Sequence, residues 1–172
     1  LPVVVDGAVF DAVGNIGAAR RDMVKASLKW PLEGLGAKGV VVTADMVARR
    51  SRAIDPTTGE RRSISGDLPV EARIAFTHDI PAWKLRWGGS YAFARTETGG
   101  KGEEFERDRL AGRFDLFAEY HPDSRWTFRL FGKNLTDEKF RTFAFNTTNG
   151  TLNQYRVYES RRIIGVAFDV AF

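Results

Sequence analysis

The twelve residues from Arg161 to Phe172 constrain this chain more than any other stretch. Ile164, Val166, Phe168, Val170 and Phe172 fall on one parity, and Ile163, Gly165, Ala167, Asp169 and Ala171 on the other. That is the period of a strand and not of a helix. One face is wholly apolar; the other, after Ile163, is small or charged. A soluble sheet turns such an apolar face into a core, whereas a membrane barrel turns it outward to lipid and keeps small and polar residues inside. The stretch also closes on an aromatic, Phe172, where the end of a soluble domain would ordinarily fray into solvent.

Composition narrows the choice. With 43% hydrophobic and 28% charged residues the chain is close to the globular average, which argues against disorder. A mean hydropathy of -0.29 and the lack of any run near the ~18 apolar residues of a spanning helix argue against a helical membrane protein. They leave a β-barrel open, because each of its strands needs only about 9–11 residues, half of them polar. The net charge of +4 comes from basic residues scattered along the whole chain, with no nucleic-acid motif among them, so no nucleic-acid partner is expected. Cysteine is absent, which excludes disulfides and thiolate metal sites. The sequence begins on Leu1 with no charged leader, and is read as a processed or truncated piece.

Seven strands are predicted, the first six being Arg20 to Trp30, Gly39 to Arg50, Val70 to Thr77, Trp83 to Ala94, Leu110 to Tyr120 and Arg125 to Leu135, and the last Tyr155 to Phe172. The fourth is the clearest, with Trp83, Leu85, Trp87, Gly89, Tyr91 and Phe93 on one parity. Phe117 and Phe131 interrupt the polar parity of the fifth and sixth. Leu1 to Ala19 is read mostly as loop, carrying the turn signals Asp6-Gly7 and Gly14-Asn15. The connections run short, long, short, long, short, long, with Ser51 to Asp67, Thr96 to Asp108 and Thr136 to Gln154 as the long ones. A transmembrane up-and-down barrel has this asymmetry, with short turns at one rim and long loops at the other. Trp30, Trp83, Tyr120, Trp126 and Phe172 come near the short-turn rim on the apolar parity, as an interfacial aromatic girdle requires.

No catalytic, cofactor-binding or metal-ligating set emerges, and the chain is not expected to be an enzyme. His78 and His121 fall at predicted turns, and Glu103, Glu104 and Glu106 lack the spacing of a calcium loop. Arg141, Phe143, Phe145, Tyr155, Arg156 and Tyr158 combine aromatic and guanidinium groups suited to an anionic or aromatic ligand arriving from outside. The same mix also suits an upper aromatic girdle with lipid-headgroup contacts.

Phe131 to Phe140 (FGKNLTDEKF), followed by a loop and a strand ending in Phe, resembles the penultimate-strand signature of TonB-dependent outer-membrane receptors. Gly14 to Gly17, Pro31-Leu32, Asp55 to Arg61, and Asp79-Ile80-Pro81 with Trp87-Gly88 are similar to the C-terminal barrel region of a proteobacterial branch of that family. The resemblance implies a location in the bacterial outer membrane and uptake of a scarce nutrient such as a ferric siderophore. It implies a barrel of about 22 strands plugged by an N-terminal domain, and energy drawn from the TonB complex through an N-terminal box. Neither plug nor box is found in this sequence. Phe168, Val170 and Phe172 would serve as the signal read by the barrel-assembly machinery.

The expectation is therefore an all-β chain spanning residues 1–172: an antiparallel up-and-down transmembrane β-barrel segment of about seven strands, forming an incomplete barrel or curved open sheet. Its partners would be outer-membrane lipid, the plug domain and remaining strands of the same receptor, the TonB complex and the assembly machinery. Arg86, Arg113, Asp115, Glu119, Arg129 and Asp169 would face the lumen and plug. The alternatives are a soluble β-barrel or sandwich holding a small apolar ligand, and a passive porin-type channel.

Overall fold

Residues with period-two alternation pair as strands, and the computed structural model of the chain is all-β. It describes residues 2–5, 8–11, 17–54, 59, 61–101, 104–146 and 150–171. The strands are β1 (Pro2–Val5), β2 (Ala8–Asp11), β3 (Ala19–Pro31), β4 (Val40–Ile54), β5 (Arg61–Arg62), β6 (Val70–Ile80), β7 (Leu85–Ala92), β8 (Arg95–Lys101), β9 (Glu104–Leu110), β10 (Arg113–Tyr120), β11 (Trp126–Lys133), β12 (Lys139–Asn146), β13 (Leu152–Glu159) and β14 (Ile163–Val170). The larger sheet runs β14-β11-β10-β7-β6-β4-β3, with β5 appended to β4. Every pairing is antiparallel, so the seven strands form an up-and-down meander that stays open, with β3 and β14 as its edges.

The larger sheet contains the seven predicted strands, with changed ends. β6 runs on to Ile80 and so carries His78, which lies in a strand instead of a turn. Trp83 sits in a 3-10 turn, Pro81–Trp83, and β7 begins at Leu85. The predicted last strand is two strands, β13 and β14, broken at Ser160-Arg161-Arg162. Two long connections are hairpins and not loops: β8-β9 and β12-β13 pair into a second sheet of order β13-β12-β9-β8. Part of the first nineteen residues is a hairpin as well, β1 with β2. The turn signals at Asp6-Gly7 and Gly14-Asn15, the Asp55 to Thr58 segment and Phe172 lie outside the described residues.

Chain continuity stacks the second sheet on the first. β7 leads into β8, β9 into β10, β11 into β12 and β13 into β14, and the neighbours in one sheet are neighbours in the other. The breaks fall at one level, at residues 93–94, 111–112, 134–138 and 160–162. At that level the alternation slips by one residue. Ala92 pairs with Arg113 on the polar face, and Arg95, three residues later, reaches polar-face Glu71 at 3.9 Å. A one-residue slip exchanges the two faces for everything beyond it. Leu110, expected on the apolar parity, consequently shares the Arg95 face.

One row of cross-strand partners crosses all seven strands: Trp30, Val42, Phe76, Gly89, Leu116, Gly132 and Ile164. The row above it on this face is equally apolar, with Leu28, Ala44, Ile74, Tyr91 and Phe114; the row below, Val40, His78, Trp87, Ala118, Leu130 and Val166, holds one polar side chain, His78, whose Nδ1 accepts from Trp87 Nε1 at 3.1 Å. Trp30 is next to the end of β3, whereas Ile164 lies six positions from the far end of β14, so the row climbs relative to the short-turn rim. Strands staggered in this way are tilted, as a curved barrel wall requires.

Among the described residues nothing covers the apolar face. Val166 is 80% exposed, Ile164 73% and Phe168 70%. Among the described residues the buried apolar side chains are Ala53 and Ala144, too small to make a core. A soluble domain of this length buries far more.

The opposite face explains the two misplaced phenylalanines. Phe117 pairs across strands with Gly88, and Phe131 with Gly165. A Cβ added at Gly165 would lie 2.6 Å from the Phe131 ring, and one at Gly88 3.0 Å from the Phe117 ring. Each ring thus lies flat across a glycine, and its outer face is covered by a cation: Arg129 at 4.9 Å from Phe117 and Lys133 at 5.2 Å from Phe131. Gly165→Val is expected to cost about 1–3 kcal/mol by overpacking. Phe131→Ala in the same chain should recover part of that loss in a denaturant titration; equal losses in both backgrounds would count against the ring–glycine contact.

Candidate functional site

The polar face of the larger sheet gathers the residues expected to face a lumen. Asp79, Arg86, Glu119 and Arg129 form one cross-strand row. Within it Arg129 reaches Glu119 at 3.1 Å and Arg86 reaches Asp79 at 3.7 Å, while His121 lies 3.7 Å from Glu119. Higher up, Arg113 meets Asp115 at 3.2 Å and Arg73 donates to the Ser90 hydroxyl at 2.9 Å. Asp169 pairs with Thr127 near the rim. A cavity of about 460 Å³ opens on this face between Arg73, Arg86, Phe117, Arg129 and Lys133. It suits a polar surface laid against it; among the described residues no group of three or more carboxylate or imidazole side chains could hold a metal ion.

Asn134 ties the two sheets together. Its backbone is left-handed, with φ of 52°, a conformation Asn tolerates better than other non-glycine residues. The side chain is buried, 3% exposed. Its Nδ2 donates to the Ser160 carbonyl, and its Oδ1 accepts from the Glu138 N–H at 3.2 Å. Its own N–H donates to Asp115 Oδ1 at 2.8 Å. Thr136 Oγ1 donates to the Gly112 carbonyl at 3.0 Å, and the Leu135 N–H to the Phe114 carbonyl at 2.8 Å. Asp137, also left-handed at 53°, accepts from the Arg162 N–H at 3.2 Å. The Asn-Leu-Thr-Asp string thus supplies the hydrogen bonds the ladders lack where three strands break, and it is why the predicted last strand is interrupted at Ser160.

The six residues proposed to meet an external ligand divide between the two faces of the second sheet. Arg141, Phe143, Phe145 and Tyr155 share one face; Arg156 and Tyr158 lie on the other with Phe140. On the first face Phe143 is 5.0 Å from Tyr155 and 6.5 Å from Phe145, and the Arg109 guanidinium lies 5.4 Å from the Phe143 ring. On the second, Phe140 meets Tyr158 at 5.4 Å, and Arg156 donates to the Tyr158 hydroxyl at 3.4 Å. The Arg95–Glu71 contact assigns this second face to the polar side of the wall and the first to the apolar side. Sequence reasoning missed Arg107 and Arg109, which join the first face from β9.

At the base of that first face Lys139 Nζ donates to Glu159 at 2.8 Å. This contact holds the Lys139 ammonium above its ordinary range and the Glu159 carboxyl below its own. The Glu159 contribution is present above the ordinary carboxylate range and lost as pH falls through the lowered value. The Lys139 contribution is lost as pH rises through the raised one. Both groups are fully exposed, so the pair adds little to stability at neutral pH.

Of the proposed assembly residues, Phe168 pairs with Phe128 and Val170 with Trp126 at the rim, where Trp126 and Phe128 stack at 6.1 Å. Comparison with protein-family models, with curated proteins and with solved structures found no match to this chain.

Proposed function

We propose that the chain is a C-terminal portion of the barrel wall of a TonB-dependent outer-membrane receptor, which takes up a scarce nutrient such as a ferric siderophore. The observation that carries this reading is the apolar face, in register across seven strands and, among the described residues, with no side chain over it. Lipid is the cover such a face suits, since its exposure to water is unfavourable and no second layer among the described residues folds over it. The opposite face, charged and threaded with ion pairs, suits a plug domain of the same receptor. The two open edges suit pairing with further strands of the wall. The reaction is transport, with energy from the TonB complex and no bond chemistry by these residues. No helix among the described residues is long and apolar enough to cross a membrane.

A soluble barrel or sandwich enclosing a small apolar ligand would need the apolar face turned inward, and here it lies open. Expression of the full-length gene followed by membrane fractionation separates the two. The receptor reading expects the protein in the outer-membrane fraction, released only by detergent. Recovery in the soluble fraction without detergent would overturn it.

A further inference from the structure

The hairpins of the second sheet sort their charges by face. β9 carries Arg107 and Arg109 on the apolar side of the wall and Glu106 and Asp108 on the polar side. Arg109 and Arg141 are direct cross-strand partners, and Arg107 faces Phe143. Like charges directly opposite one another destabilise a sheet. A hairpin selected only for solubility would set the arginines against the acids across the strands. The one carboxylate on that face of the paired strands, among the described residues, is Glu159, and Lys139 already engages it. Arg107 and Arg109 rest on Phe105 and Phe143 at 5.9 and 5.4 Å, which orders the guanidinium groups without neutralising them.

The patch sits directly beyond the apolar face. β9 runs into β10, and Phe114 follows Arg109 by five positions, about 17 Å at strand rise. Phe114 lines an apolar crevice of about 380 Å³ on the apolar face, together with Val42, Ile74, Phe76, Gly89 and Tyr91. Gly89 opens the crevice: a Cβ there would lie 2.6 Å from Leu116 and 3.2 Å from the Phe76 ring.

We infer that the Arg107, Arg109 and Arg141 face binds the phosphate of an anionic membrane lipid whose acyl chain lies in the crevice below. Guanidinium forks match phosphate oxygens in pairs, and the aromatic rings between them suit the headgroup boundary. The inference rests on the membrane reading above, but its test does not depend on where the protein is found in cells.

The test is binding of the purified full-length protein, in neutral-detergent micelles, to phosphatidic acid, to diacylglycerol and to inorganic phosphate. Phosphatidic acid should bind saturably, with at least tenfold weaker binding by R107Q/R109Q/R141Q, and neither other probe should match it. R86Q/R129Q removes two cations from the opposite face and should bind as the parent does. Equal loss in both variants, or no loss in the first, overturns the inference; so does inorganic phosphate binding as tightly as the lipid. Should the triple variant fail to fold, R109Q alone must weaken binding and R109K, which keeps the charge but not the fork, must bind between R109Q and the parent. Fractionation into the soluble phase would overturn the receptor reading while leaving this result to be read separately.

Discussion

Asn134→Ala is expected to destabilise the fold by about 2–4 kcal/mol. Two half-exposed backbone groups, the Ser160 carbonyl and the Glu138 N–H, lose their partner, at about 0.5–1.5 kcal/mol each. Alanine also tolerates the left-handed backbone at this position less well than asparagine does, which adds about 1 kcal/mol. Asn134→Gly removes the backbone strain but not the orphaned groups, and should fall short of alanine by roughly that last amount. Asn134→Asp keeps the acceptor for Glu138 but sets a carboxylate oxygen against the Ser160 carbonyl, so it should be no better than alanine. Denaturant titration of the full-length protein in detergent gives the differences. Three variants within about 0.5 kcal/mol of the parent would mean that the junction adds nothing beyond its surroundings.

The second large effect tests which way the wall faces. Val166 and Ala167 are neighbours in β14 and point to opposite sides, Val166 beside Leu130 and Ala167 beside Arg129. Val166 lies five positions short of Ala171, about mid-strand for a membrane crossing. If the apolar parity faces lipid as proposed, Val166→Arg is expected to cost about 2–4 kcal/mol and to reduce the assembled, heat-resistant form of the full-length protein, with Trp126→Arg at the rim costing about 0–1. Ala167→Arg, on the polar side, should cost no more than the roughly 0.2–1 kcal/mol of a like charge opposite Arg129, and assemble far better than Val166→Arg. If the 166 and 167 variants behaved alike, the apolar parity would not be the lipid face.

The larger sheet was legible because most of its residues follow one rule, apolar on one parity and polar on the other, from Val24 through Ile74 and Leu116 to Phe168, with His78, Phe117 and Phe131 among the exceptions. The second sheet breaks that rule. Phe105, Arg107 and Arg109 alternate with Glu106 and Asp108, so both faces are polar and hydropathy has nothing to separate. The signal present was charge sign with period two, which marks a strand as surely as hydropathy does. The breaks were hidden for a related reason. Leu110 keeps the parity of Phe114 in the sequence, and only the slip at Ala111-Gly112 moves it to the other side. The six ligand candidates divide by plain alternation, Arg141, Phe143, Phe145 and Tyr155 being odd-numbered and Arg156 and Tyr158 even, a difference that composition alone does not register. The role of Asn134 depends on Ser160, 26 residues away, and no local pattern reports that proximity.

The open edges of the larger sheet carry a directional consequence. Along an antiparallel path each strand reverses the one before, so the first and seventh, β3 and β14, run the same way. Joining them directly would place a parallel seam in an otherwise antiparallel wall, with slanted hydrogen bonds along that seam. An antiparallel closure therefore needs an odd number of additional strands, and those next to β3 and β14 must both run opposite to them. Whatever completes the wall inherits its chain direction at both ends from these two strands.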